Sequence, residues 1–240
     1  MQEFPWPRSL WLVRHGESTA NVADFAAAQA RSLRLDIAVN DIDVPLSQTG
    51  ERQAEALGHW LKEQPADRKP SLVVSSAYRR AQQTAEIALG VAQLDALPRL
   101  VDERFRDREQ GVLDRLTRAG VMDAFPDEAS RHDYLGKFWY RPPAGESWAD
   151  VALRVRSALL ELRLTAPEER VMVFTHDVTV LVTRYVVEQL AVPDAVALSG
   201  LVPNCSVTRY EREDGRLALD AFADTTAVEQ AARTPVTSHD

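Results

Sequence analysis

The chain has 240 residues, enough for one large α/β domain. Apolar residues make up 45 % of it and the formal net charge is −8, a balance that argues against a nucleic-acid or membrane-surface role. With a single cysteine, Cys205, neither an internal disulfide nor a multi-cysteine zinc site can form.

Met1–Ser9 has no apolar core, so it does not read as a signal peptide, and no apolar run is long enough to span a bilayer. A cytoplasmic protein is expected. Leu10-Trp11-Leu12-Val13 reads as a buried strand that stops at Arg14-His15-Gly16-Glu17-Ser18. Residues 19–35 are alanine-rich and helical in pattern; residues 36–50 read as loop. A helix begins near Ser47 and carries Ala54, Leu57 and Leu61 on one stripe. Leu72-Val73-Val74 is a second strand, running into Ser75-Ser76-Ala77-Tyr78-Arg79-Arg80 and a helix through Ala88.

Residues 102–111 are dense in charge of both signs and read as a solvated loop. Residues 112–145, rich in aromatics and proline, read as an excursion able to close over a site. Ser147 caps a helix from Val151 to Leu162, and Val171–Phe174 is a third strand ending at Thr175-His176-Asp177. An apolar helix, Val178–Leu190, follows. Cys205–Tyr210 and Leu217–Phe222 flank Asp214-Gly215, a hairpin signal. Residues 226–240 read as a mobile tail on a single domain spanning 1–240. Strands alternate with helices, so helices are expected on both faces of a largely parallel sheet.

In such folds, groups at the C-terminal ends of strands meet in one crevice. Arg14 and His15 follow the first strand, Arg80 follows the second and His176 the third. One such histidine can simply bond a loop carbonyl; two, accompanied by arginines, argue for an anion site. A neutral imidazole is a nucleophile toward phosphorus, and guanidinium groups hold nonbridging oxygens. Gly16 is expected to let backbone approach the phosphate. Asp107 and Glu109 are the candidate proton donors to a leaving group. His59 reads as a surface residue, His132 as structural, His239 as part of the tail and Cys205 as a buried small residue. No P-loop, dinucleotide fingerprint or helical metal-binding histidine pair is present.

Leu12-Val13-Arg14-His15-Gly16-Glu17-Ser18 resembles the signature of the histidine phosphatase superfamily, which includes phosphoglycerate mutases, fructose-2,6-bisphosphatases and broad-specificity phosphatases. The resemblance extends from about residue 10 to 225. It includes Asp43–Gly50, Ser75–Ala85, Pro143–Ser147 and Pro203-Asn204-Cys205. It implies a phosphoglycerate mutase-like, three-layer α/β/α sandwich with a mixed, mostly parallel sheet. It also implies in-line phosphoryl transfer to His15, then hydrolysis by water, with no metal or organic cofactor. Asn21 falls at the family's phosphate-binding asparagine, and Arg80, rather than Arg79, takes the second arginine's role. Asp107 stands four residues before Gly111, where the family usually has glutamate; Glu109 remains the alternative. Asp177 replaces a common glycine, and is expected to cap the following helix.

The expected activity is hydrolysis of a small phosphorylated metabolite. Mutase-type transfer and a non-catalytic phosphoester-binding module are the alternatives. The loop Arg106–Gly111 resembles the bisphosphatase branch more than the mutase branch. No nucleic-acid or membrane partner is expected, and a homodimer is left open.

Overall fold

The computed structural model describes residues 4–233. The elements run β1 (Ser9–Arg14), α1 (Thr19–Ala30), α2 (Gln48–Glu63), β2 (Leu72–Ser75), α3 (Arg79–Ala92) and β3 (Arg99–Val101). Then come α4 (Arg118–Ala124), α5 (Pro126–Leu135), α6 (Trp148–Thr165), β4 (Arg170–Thr175), α7 (Asp177–Val187) and α8 (Val192–Ala197). The hairpin β5 (Val207–Glu213) and β6 (Arg216–Asp224) and helix α9 (Thr226–Arg233) complete the order.

The strands form one six-stranded sheet in the order β3-β2-β4-β1-β5-β6. Pairings β3–β2, β2–β4 and β4–β1 are parallel, whereas β5 and β6 are antiparallel. The expected mixed, mostly parallel sandwich is the architecture found. Its layers follow from the period of two along each strand. Leu10, Leu12, Val171 and Val173 face one side, against Val151, Val155 and Leu159 of α6 and Val180 and Leu181 of α7. Trp11, Val13, Val73, Met172 and Phe174 face the other, against Leu57 and Leu61 of α2 and Ala81, Ala85 and Leu89 of α3.

Register brings the reactive positions together. Arg14 pairs with Thr175 across β1–β4, and Ser75 pairs with Phe174 across β2–β4. His15, Ser76 and His176 therefore leave the sheet side by side.

The structure departs from the sequence reading in several places. The alanine-rich helix stops at Ala30, because Arg31 takes a left-handed conformation (φ 51°). β3 was not anticipated: it is short and all three residues are exposed, so it lacks an apolar signature. The excursion contains two helices, α5 being opened by Pro126 in its first turn. It leans on the loop after α1, with Leu35 N–H donating to Arg115 O and Thr117 N–H to Leu33 O. Where a mobile tail was expected, α9 forms and buries Ala227 in the core layer of α2 and α3. His239 lies outside the described residues. No helix among the described residues is long and apolar enough to cross a membrane.

Candidate active site

His15 is buried at the end of β1. Its backbone continues the β1–β4 ladder through N–H to Thr175 O (2.9 Å), and its carbonyl accepts from Asn204 Nδ2 (3.0 Å). The side chain donates from Nδ1 to Gly16 O at 2.7 Å. A carbonyl can only accept, so the proton sits on Nδ1 and Nε2 keeps its lone pair. Burial, followed by the charges of His176, Arg80 and Arg14, holds the His15 pKa well below its ordinary value. The ring is thus neutral near pH 7 and nucleophilic at Nε2.

His176 is fully buried, its ring centroid 5.1 Å from that of His15. Nε2 lies 2.9 Å from Ser76 Oγ, which also accepts from Tyr78 N–H. Nδ1 stands 3.4 Å from Asp107 Oδ2, too poorly aligned to hydrogen-bond. Burial lowers the His176 pKa despite the neighbouring carboxylate.

Arg14 Nη1 donates to Val202 O at 2.6 Å, while its buried Nε–H has no partner among the described residues. Arg80 is nearly buried and differently engaged. Nη1 reaches Asp41 Oδ1 at 2.9 Å and Nη2 reaches Asp107 Oδ2 at 2.9 Å. Burial pushes the Asp107 carboxyl up, but the His176 imidazole and Arg80 guanidinium outweigh it and hold the group well below the usual carboxylate range. Arg14, His15, Arg80 and Asp107 line one cavity of about 530 Å³ with Asn21, and His176 stands directly behind them. Asn21 Oδ1 accepts from Ser18 N–H in the α1 capping box.

Two expected site residues stand elsewhere. The close approach permitted by Gly16 is to protein: a Cβ there would lie 2.5 Å from Gly50 O. Gly16 N–H donates to Thr84 Oγ1 (3.0 Å), so the residue ties β1 to α2 and α3 without facing the cavity. Glu109 points out to Arg106 Nε (3.0 Å) and is not part of the cavity wall, because the turn before Gly111 carries its side chain away from Asp107. Asp177 does not cap α7 as expected: it is the first helical residue, the N-cap position falls on His176 without a side-chain cap bond, and Asp177 Oδ1 accepts only from the next amide, Val178 N–H, at 2.7 Å.

Sequence reasoning missed Asp41, Arg108 and Lys137, all in the cavity wall. Asp41 lies in a stretch without periodicity and meets Arg80 only through the fold. Lys137 had one signal, being one of three lysines in an arginine-rich chain. Its ammonium lies 5.4 Å from the Trp148 ring centroid. Leu35, Ile37, Leu113, Leu116 and Val121 give the outer wall an apolar side.

Residues 10–225 match the family model described as histidine phosphatase superfamily (branch 1). A 6-phosphofructo-2-kinase/fructose-2,6-bisphosphatase of Aquarana catesbeiana is 31 % identical over 172 residues, 71 % of this chain and 30 % of that protein. The chain thus spans less than a third of that relative's length. Among solved structures, a mycobacterial glucosyl-3-phosphoglycerate phosphatase in complex with VO3 is 27 % identical, with a TM-score of 0.68 over 90 % of this chain and 99 % of that one. The Bacillus anthracis phosphoglycerate mutase, at 19 % identity and a TM-score of 0.69 over 93 % of this chain and 96 % of that one, shares the fold.

Proposed function

This chain belongs to the histidine phosphatase superfamily, and on that premise we propose that it hydrolyses a small phosphomonoester through a phosphohistidine at His15. One observation carries the reading: His15 holds its proton on Nδ1 against Gly16 O and so keeps a neutral Nε2, in a cavity also lined by Arg14, whose Nε–H has no partner among the described residues. Nε2 attacks phosphorus in line as the ester P–O bond breaks. Arg14 and Arg80 take the nonbridging oxygens and offset the charge that develops on them, while the fully buried His176 backs His15 and Asp107 from behind. Asp107 takes up a proton from solvent as the substrate anion draws Arg80 away from it, gives that proton to the departing oxygen, then takes one from the water that splits the P–N bond.

The wall supplied by Arg108, Lys137, Leu113, Val121 and Trp148 supports an organic leaving group with polar substituents over inorganic polyphosphate. The net charge of −8 and the single buried cysteine support a reducing, cytoplasmic setting without a nucleic-acid partner.

The test is rapid acid-free quenching with phosphorylated metabolites. An acid-labile phosphoenzyme should form, decay to inorganic phosphate, and be absent from His15→Ala, whose turnover should fall by ~10³-fold or more. Undiminished turnover in that variant would sink the reading. Return of the label to a second hydroxyl of substrate would make the protein a mutase.

A further inference from the structure

The coil that carries Asp107 has no regular structure, yet its carbonyls are almost all spoken for. Between the short 3₁₀ turns Glu103–Phe105 and Gly111–Leu113, the backbone cannot satisfy itself by helix or ladder bonds. The acceptors find donors from one place above all, Arg154 on α6. Its Nη1 donates to Arg104 O (2.7 Å) and Arg106 O (2.9 Å), and its Nη2 to Asp107 O (3.0 Å). The remaining two N–H groups grip Glu146, Nε to Oε1 at 2.9 Å and Nη2 to Oε2 at 3.0 Å. All five guanidinium donors are thereby used, on a side chain only 9 % exposed.

Glu146 is itself fixed to the same coil. Oε1 accepts from Arg106 Nη2 (2.8 Å) and Oε2 from Glu109 N–H (3.2 Å). Thr179 of α7 adds a bond from Oγ1 to Arg106 O (3.0 Å). The Asp107 carbonyl is thus held toward α6, while its carboxylate is left to face Arg80 and His176. Arg154 is not in the cavity wall and cannot touch a substrate there.

We propose that Arg154 is a positioning residue for the reaction, clamping the Asp107 coil from behind with Glu146 so that the carboxyl meets the leaving-group oxygen. The proposal rests on the reading of Asp107 as the proton donor. A guanidinium is needed because five donors in one plane must reach three carbonyls and a carboxylate. An ammonium offers three donors from one point.

The experiment compares an alkyl phosphate, whose leaving group needs a proton, with p-nitrophenyl phosphate, whose leaving group barely does. Arg154→Lys should lower the rate of His15 phosphorylation by the alkyl ester ~10- to 100-fold, a part of the ~10²- to 10⁴-fold a general acid contributes. It should lower the aryl rate less than ~3-fold, and leave inhibition by inorganic phosphate within ~2-fold, since Arg14, Arg80 and His15 are untouched. In an Asp107→Asn background the same substitution should cost almost nothing further, because its effect passes through that carboxyl.

Equal losses on both esters, or losses that multiply with Asp107→Asn, would overturn the proposal. If Arg154→Lys does not fold, Glu146→Gln and Thr179→Val carry the same test. Either should show a smaller loss confined to the alkyl ester, and a uniform loss or none would overturn the idea. A parent protein that forms no phosphoenzyme would instead refute the reading of the reaction. A parent that does form it, with variants insensitive to the leaving group, refutes the clamp alone.

Discussion

Arg80 and Asp107 are bonded to each other, Nη2 to Oδ2, at 2.9 Å. The residue proposed to give up a proton is therefore ionised while its guanidinium partner is free to hold it. A phosphate dianion arriving on Arg80 competes for that guanidinium and adds negative charge beside Asp107, and both effects raise the carboxyl's pKa. On the proposed reading of Asp107 as proton donor, substrate binding thus recruits the acid.

Asp107→Asn keeps the shape and cannot deliver the proton. Phosphoenzyme formation from an alkyl phosphate should slow by ~10²-fold or more, and from p-nitrophenyl phosphate by less than ~10-fold. Rapid-quench rates with both esters measure this; equal small losses would remove Asp107 from the role. Glu109→Gln should change neither rate appreciably, since that side chain is committed to Arg106.

Asp41 shares Arg80 with Asp107 and stands where an anion would bind, its side chain 40 % exposed. Asp41→Asn should release the guanidinium and tighten inorganic phosphate ~2- to 5-fold, the modest gain expected of a partly solvated pair. Isothermal titration gives the constant directly. Weaker phosphate binding would mean that Asp41 orients Arg80 more than it competes with the ligand.

Both histidines have lowered pKa values in the folded chain. In the window between those values and the unfolded value near 6.5, the unfolded chain binds more protons, so stability must fall as pH drops through it. Asp107, held well below the usual carboxylate range, adds a further loss only at more acid pH. Melting temperature should decline between pH 7.5 and 5, on the unperturbed scale of imidazole titration, and His15→Gln should flatten the slope. An unchanged slope would mean that His15 is protonated as readily in the fold as outside it.

Gly16→Ala places a Cβ 2.5 Å from Gly50 O, a backbone atom with no rotamer to move. The cost should be about 1–3 kcal/mol of stability, with activity lost as His15 shifts. Denaturant unfolding and turnover should change together; a stable but inactive variant would assign Gly16 a direct role toward phosphate after all.

The strands that build the site were readable because each is an apolar run ending abruptly in polar residues, as at Val13-Arg14-His15 and Phe174-Thr175-His176. Even the bland expectation for such a histidine was correct for His15: it does bond a loop carbonyl, and that bond is what frees its other nitrogen. Asp41 was not readable, because its pairing with Arg80 is a tertiary contact between an aperiodic loop and a helix. The side-chain directions of Asp107 and Glu109 were equally hidden, since two residues of spacing in a coil say nothing about which one turns inward. β3 escaped notice because an exposed edge strand needs no apolar alternation.

The central pairing of β1 with β4 also has a temporal side. Strand Ser9–Arg14 finds its parallel neighbour only at Arg170–Thr175, and its other neighbour only at Val207–Glu211. During synthesis at about 5–20 residues per second, the first strand waits on the order of ten seconds or more with both edges unpaired. Such long-range parallel closure is slow and leaves apolar strands open to other chains meanwhile. A chain that stops short of β4 lacks both the parallel neighbour of β1 and His176 just beyond it, so His15 meets the second imidazole only after residue 176 has been made.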